Sequence, residues 1–156
     1  MARAAELGMR YADYASLYRS AGRDPAGLIF TPDALQLRLR RRLDMPDTVR
    51  HHLASLRSCH LMALAPEGEA PEDFLQELRE VSPLPFSAAG TMPSPHAPWP
   101  VIAANLRQAL DPLRLPGAAV ALVAHARAEA RLSHAMLAAG RLAGVLPHDA
   151  YFHPAA

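Results

Sequence analysis

The chain has 156 residues, of which 51% are hydrophobic and 20% charged, with a formal net charge of +1. That is enough apolar material for one cored domain, and it excludes wholesale disorder, which needs few apolar side chains and much unbalanced charge. The lone cysteine, Cys59, excludes an internal disulfide and a thiolate zinc cluster, and it fits a reducing, cytoplasmic setting.

Valine and isoleucine together number eight, while alanine and leucine dominate the apolar set. Strands favour β-branched residues and helices favour Ala and Leu, so the balance predicts an all-α fold. The expected architecture is a helical bundle: an N-terminal cluster of short helices and a long C-terminal Ala-rich helix, joined by a Pro-rich strap.

In chain order, residues 2–21 read as a first helix, with Leu7, Tyr11, Tyr14 and Tyr18 on one inward stripe. Gly22, Asp24, Pro25 and Gly27 end it. A second helix starts at Thr31 as N-cap with Pro32 in the first turn, and it buries Leu35, Leu39 and Leu43. A third opens at Asp44 and carries Val49, Leu53, Leu56 and His60 inward to about Leu64. A fourth runs from Pro71 to about Val81 around Phe74, Leu75 and Leu78.

Residues 82–100 contain six prolines and predict a polyproline-like connector, pinned by Phe86 and Trp99. A helix over 101–110 follows, then a long final helix from Gly117 to Val145. Three regions result: a basic N-terminal helical domain over 1–81, the connector over 82–100, and a C-terminal helical hairpin with its tail over 101–156. The final helix is apolar on more than one side, so Val120, Val123, Ala124, Leu137, Gly140 and Gly144 are the expected interface residues. Its most apolar part, Pro116 to Ala124, meets His125, Arg127, Glu129 and Arg131 within a few residues. That is far short of the ~20 apolar residues a membrane helix needs.

Residues 31–43, the turn Asp44, Met45, Pro46 and Asp47, and Thr48 to Leu56 form two expected helices across a tight turn, followed by His60 to Gly68. Over 31–68 this arrangement resembles the winged helix-turn-helix module of nucleic-acid-binding regulators. The resemblance implies Thr48, Arg50 and His51 at base edges and Arg38, Arg41, Arg42 and Arg57 on phosphates. The same arginines equally suit an acidic protein partner or a solvated face.

Among eight histidines, His125 and Glu129 lie four apart and His134 follows, a weak set of metal candidates. No Gly-rich phosphate loop and no lysine is present, and no catalytic residue stands out. The sequence therefore predicts a helical accessory or adaptor subunit with no cofactor, a protein partner or homo-oligomer, and no membrane. The alternative is a small nucleic-acid binder using the Arg-rich helices at 32–64. A third reading is an enzyme subunit with a His-lined metal site.

Overall fold

The computed structural model describes residues 2–39, 43–81, 86–125 and 127–153, without the side chains at 38, 39, 43, 44 and 81. Two helices, α1 (Ala2–Glu6) and α2 (Tyr11–Ala21), lead into strand β1 (Gly27–Phe30). A small antiparallel pair, β2 (Arg38–Leu39) and β3 (Leu43–Asp44), precedes α3 (Asp47–Ala54), β4 (His60–Ala65), α4 (Pro71–Val81) and β5 (Phe86–Thr91). Then come α5 (Trp99–Leu110), β6 (Val120–Ala124), α6 (Ala130–Gly140), β7 (Gly144–Pro147) and α7 (His148–Phe152).

Five of these strands form one all-parallel sheet in the order β5-β4-β1-β6-β7. The first strand lies in the middle, with Phe30 in register with Ala63 on one side and Val123 on the other. This is the order of a doubly wound, Rossmann-like sheet. Side chains alternate across it. Leu28, Phe30, Leu61, Ala63, Ala121 and Val123 face the layer that includes α3, α4 and α7, while Ile29, Met62, Leu64, Val120, Leu122 and Ala124 face α5 and α6. The chain builds β4 and β5 with α4 on the first face, then returns through α5 on the second face to β6.

The all-α helical bundle is therefore wrong, and the reason is burial on both faces. A central parallel strand has no polar side, so it reads as an unbroken apolar run without the alternation of an exposed strand. Val120 to Ala124 are each 1% exposed or less, and Ala121, Leu122 and Ala124 dilute the strand preference of the two valines beside them. The expected single helix over 117–145 is instead a 3-10 turn, β6, α6 and the start of β7. The winged-helix likeness over 31–68 fails on the same ground. Residues 32–36 form turns after a buried strand, and His60 to Ala65 is β4, paired in parallel on both sides, not the edge hairpin of a wing.

Several local expectations match. α4 occupies Pro71–Val81 with Phe74 and Leu78 buried, α5 covers the predicted 101–110, and α3 keeps Val49 and Leu53 inside. The tyrosine stripe turns inward only in part: Leu7 is buried and Tyr14 packs against the core while donating its hydroxyl to Asp24 Oδ1 at 2.8 Å, but Tyr11 and Tyr18 are about half exposed. Inside the expected connector, Phe86–Thr91 is an edge strand against which α5 packs so closely that a Cβ on Gly90 would lie 2.5 Å from the Asn105 carbonyl oxygen.

Candidate switch-point cleft

In an open doubly wound sheet, the loops leaving the two central strands diverge to opposite faces and open a crevice at the strands' carboxyl ends. Here that point lies between β1 and β6. The Thr31 N–H still donates to the Val123 carbonyl at 3.2 Å, and beyond it the two chains part. A cleft of about 630 Å³ opens there, lined by the segments that follow β1, β4, β5 and β6.

Glu129 stands at its floor, 7% exposed. One carboxyl oxygen, Oε1, accepts a 2.7 Å hydrogen bond from the Thr31 hydroxyl and another of 2.7 Å from the His125 backbone N–H. Oε2 accepts no bond among the described residues. Burial pushes the Glu129 carboxyl above the usual glutamate range. The Thr31 and His125 bonds oppose that shift, the negative charge of Asp33 adds to it, and the charge of His125 opposes it.

Thr31 is wholly buried, and its hydroxyl also accepts the Ala34 N–H at 3.1 Å. It caps as the sequence suggests, but what it caps is a turn. His125 Nδ1 accepts the backbone N–H groups of Arg127 (3.3 Å) and Ala128 (3.1 Å), so the neutral form of the ring is the one that carries its proton on Nε2. The His125 ring stacks on His148 with centroids 4.5 Å apart. His148 Nδ1 is buried without a partner among the described residues. Its pKa is held below the usual value by burial first and by the charge of His125 second.

The rest of the cleft carries unpaired charge. Asp33 and Glu67 follow β1 and β4, Arg127 and Arg131 flank the start of α6, and none of the four forms an ion pair among the described residues. Met92, Leu132 and several prolines supply apolar wall.

The residues singled out from the sequence scatter. Thr48, Arg50 and His51 lie on α3, where Arg50 pairs with Asp47, and Arg57 follows that helix and bonds the Ala54 and Leu56 carbonyls. Arg38 lies on β2, and Arg41 and Arg42 fall outside the described residues. Val120, Val123 and Ala124 form the core of β6, Leu137 and Gly140 lie on α6, and Gly144 opens β7 against Leu17. Of the weak metal candidates, His125 reaches Glu129 through its backbone N–H, only Glu129 lines the cleft, and His134 is exposed on α6.

No group of three or more His, Cys, Asp or Glu side chains converges to hold a metal among the described residues, which removes the His-lined metal enzyme. The helical accessory subunit goes with the bundle that motivated it, and the nucleic-acid reader with the wing it required. No described helix is long and apolar enough to cross a membrane. No family model, curated protein or solved structure matches this chain.

Sequence reasoning missed Thr31, Asp33, Glu67, Arg127, Arg131 and His148 as one constellation. The signal lay in two short apolar runs, Gly27 to Phe30 and Val120 to Ala124, each followed at once by polar residues. Buried strands ending in this way mark the carboxyl edge of a parallel sheet.

Proposed function

We propose that this chain is a small-molecule-binding α/β domain of the enzyme kind, in which Glu129 exchanges a proton with a polar ligand seated in the switch-point cleft. The observation that carries the reading is the state of that carboxyl: buried, one oxygen tied by two donors, the other without a partner among the described residues, on the floor of the cleft. Perturbed carboxyls in clefts are favoured acid–base groups, because desolvation brings their pKa towards the working pH. With Oε1 fixed, Oε2 carries the proton to a ligand or takes one from it. The Thr31 hydroxyl and His125 N–H then hold the negative charge that remains. The volume is that of ordinary small-ligand sites, and the position is where doubly wound sheets bind ligands.

The test is an amide-resolved NMR titration of the whole chain against a library of small polar compounds. Shifts gathered on residues 31, 33, 34, 67, 125 and 127–132 support the reading. Shifts gathered instead on the α2 tyrosines, or none at all, contradict it.

A further inference from the structure

Opposite charges stand across this cleft without meeting. Arg127 and Arg131 belong to the segment leaving β6, and Asp33 and Glu67 to the segments leaving the neighbouring strands β1 and β4. Both arginines and both acids are exposed. None of these four comes within ion-pair distance of a partner among the described residues. A ligand between the lips can therefore engage both signs of charge without first breaking an ion pair.

A simple anion drawn to the arginines meets the fields of Asp33, Glu67 and the Glu129 carboxylate. A simple cation drawn to the acids meets the arginines and the positive end of the eleven-residue helix α6. A molecule with both charges, oriented along the cleft, meets neither repulsion. Met92, Leu132 and the proline rings offer apolar wall for the carbon chain between its ends. The only ring among the described lining residues besides proline is the His96 imidazole, so no phenyl or indole face is there to stack on a nucleobase.

Glu129 supplies an independent sign of a ligand. It is more than nine-tenths buried, it faces this same cleft, and its Oε2 lacks a partner among the described residues. We infer that the ligand of the cleft is a dipolar small molecule whose carboxylate or phosphate lies at Arg127 and Arg131 and whose ammonium lies at Asp33 and Glu67. This inference rests on the proposed small-molecule reading and specifies the class of molecule.

Titration calorimetry on the whole chain tests it with 4-aminobutyrate, 6-aminohexanoate and 8-aminooctanoate, each against the unsubstituted carboxylic acid and the alkylamine of matching length. At low ionic strength the best-fitting amino acid binds about fivefold more tightly than either single-charge compound, the upper range for one added exposed ion pair. The double variant Arg127→Gln, Arg131→Gln brings it down to the affinity of the amine. Asp33→Asn with Glu67→Gln brings it down to that of the acid. All four side chains are exposed, so the fold tolerates these changes.

Equal affinity for the acid and the amino acid, unmoved by Asp33→Asn and Glu67→Gln, overturns the dipolar assignment and leaves an anion site. Cleft amides that respond to library compounds but to no amino acid of the series overturn the assignment while the small-molecule reading stands. Cleft amides that respond to nothing overturn both.

Discussion

Thr31 and Glu129 are 98 residues apart in the chain, yet the Thr31 hydroxyl donates to Glu129 Oε1 at 2.7 Å, closing the base of the cleft between the segments that leave β1 and β6. The same hydroxyl accepts the Ala34 N–H. Thr31→Val keeps the shape and removes both bonds, leaving a buried N–H and a carboxyl oxygen short of a partner. The expected loss is about 1–3 kcal/mol in a urea or guanidinium unfolding curve, the cost of orphaning a buried polar group. A loss within a few tenths of a kcal/mol contradicts the account of this contact.

Glu129 makes stability depend on pH in a definite sense. Its pKa is raised in the fold, chiefly by burial. Between the ordinary glutamate value and the raised one, the folded chain binds the proton and the unfolded chain does not, so stability falls as pH rises through that window. Glu129→Gln accepts the same two donors through its amide oxygen and cannot ionise. The variant is expected to match the parent below the window, exceed it above, and lose that part of the pH dependence in thermal melts.

His52 works in the opposite sense on the other side of the sheet. Its ring packs 4.7 Å from Tyr151 and 5.2 Å from Phe152, centroid to centroid. Its pKa is lowered first by burial, with the Gly8 backbone opposing and the charge of His153 adding to the fall. The pKa of His148, at the start of the same short helix, is lowered as well. As pH drops through the ordinary histidine value of about 6.5, the unfolded chain takes up protons that the fold resists, and stability declines. Amides of residues 148–152 should exchange faster with deuterium at about pH 5 than neutral-pH behaviour scaled for intrinsic rate. His52→Leu should reduce that acid sensitivity.

Gly117 has no room for a side chain. A Cβ there would lie 2.0 Å from the Gly140 carbonyl oxygen and 2.8 Å from that of Arg141. Both obstacles are backbone, so the turn before β6 and the end of α6 must separate to admit it. Gly117→Ala is expected to destabilise the fold by about 1–3 kcal/mol, the usual range for overpacking, read as a lower denaturation midpoint with unchanged slope.

Sequence patterns recovered the elements that show one polar face. α4 was legible because Phe74 and Leu78 recur on one side of a helix with acids in its first turn, and α5 because prolines bracket an apolar period. The sheet stayed hidden. Leu61 to Ala65 and Val120 to Ala124 are covered on both faces, so they lack the period of two that betrays a half-exposed strand. In the second run the alanines continue into α6, and the join reads as one long helix.

His125 and Glu129 were visible as a pair four residues apart, but their connection is a bond from the His125 backbone N–H, not a shared helical face. The sequence places Thr31 as the N-cap of a helix; its hydroxyl does accept the Ala34 N–H, but at the head of a turn, with no helix behind it. Its second bond, to Glu129, depends on the parallel pairing of β1 with β6, which no local pattern encodes.

The protonation of Glu129 is the most direct gauge of the site. In a chain carrying ¹³C-labelled side-chain carboxyls on its seven glutamates, the carbon resonances can be followed through a pH titration of the native fold. One resonance should titrate above the ordinary glutamate range, disappear in Glu129→Gln, and shift its midpoint in Thr31→Val. A Glu129 resonance that titrates within the ordinary range and ignores Thr31→Val would contradict that expectation.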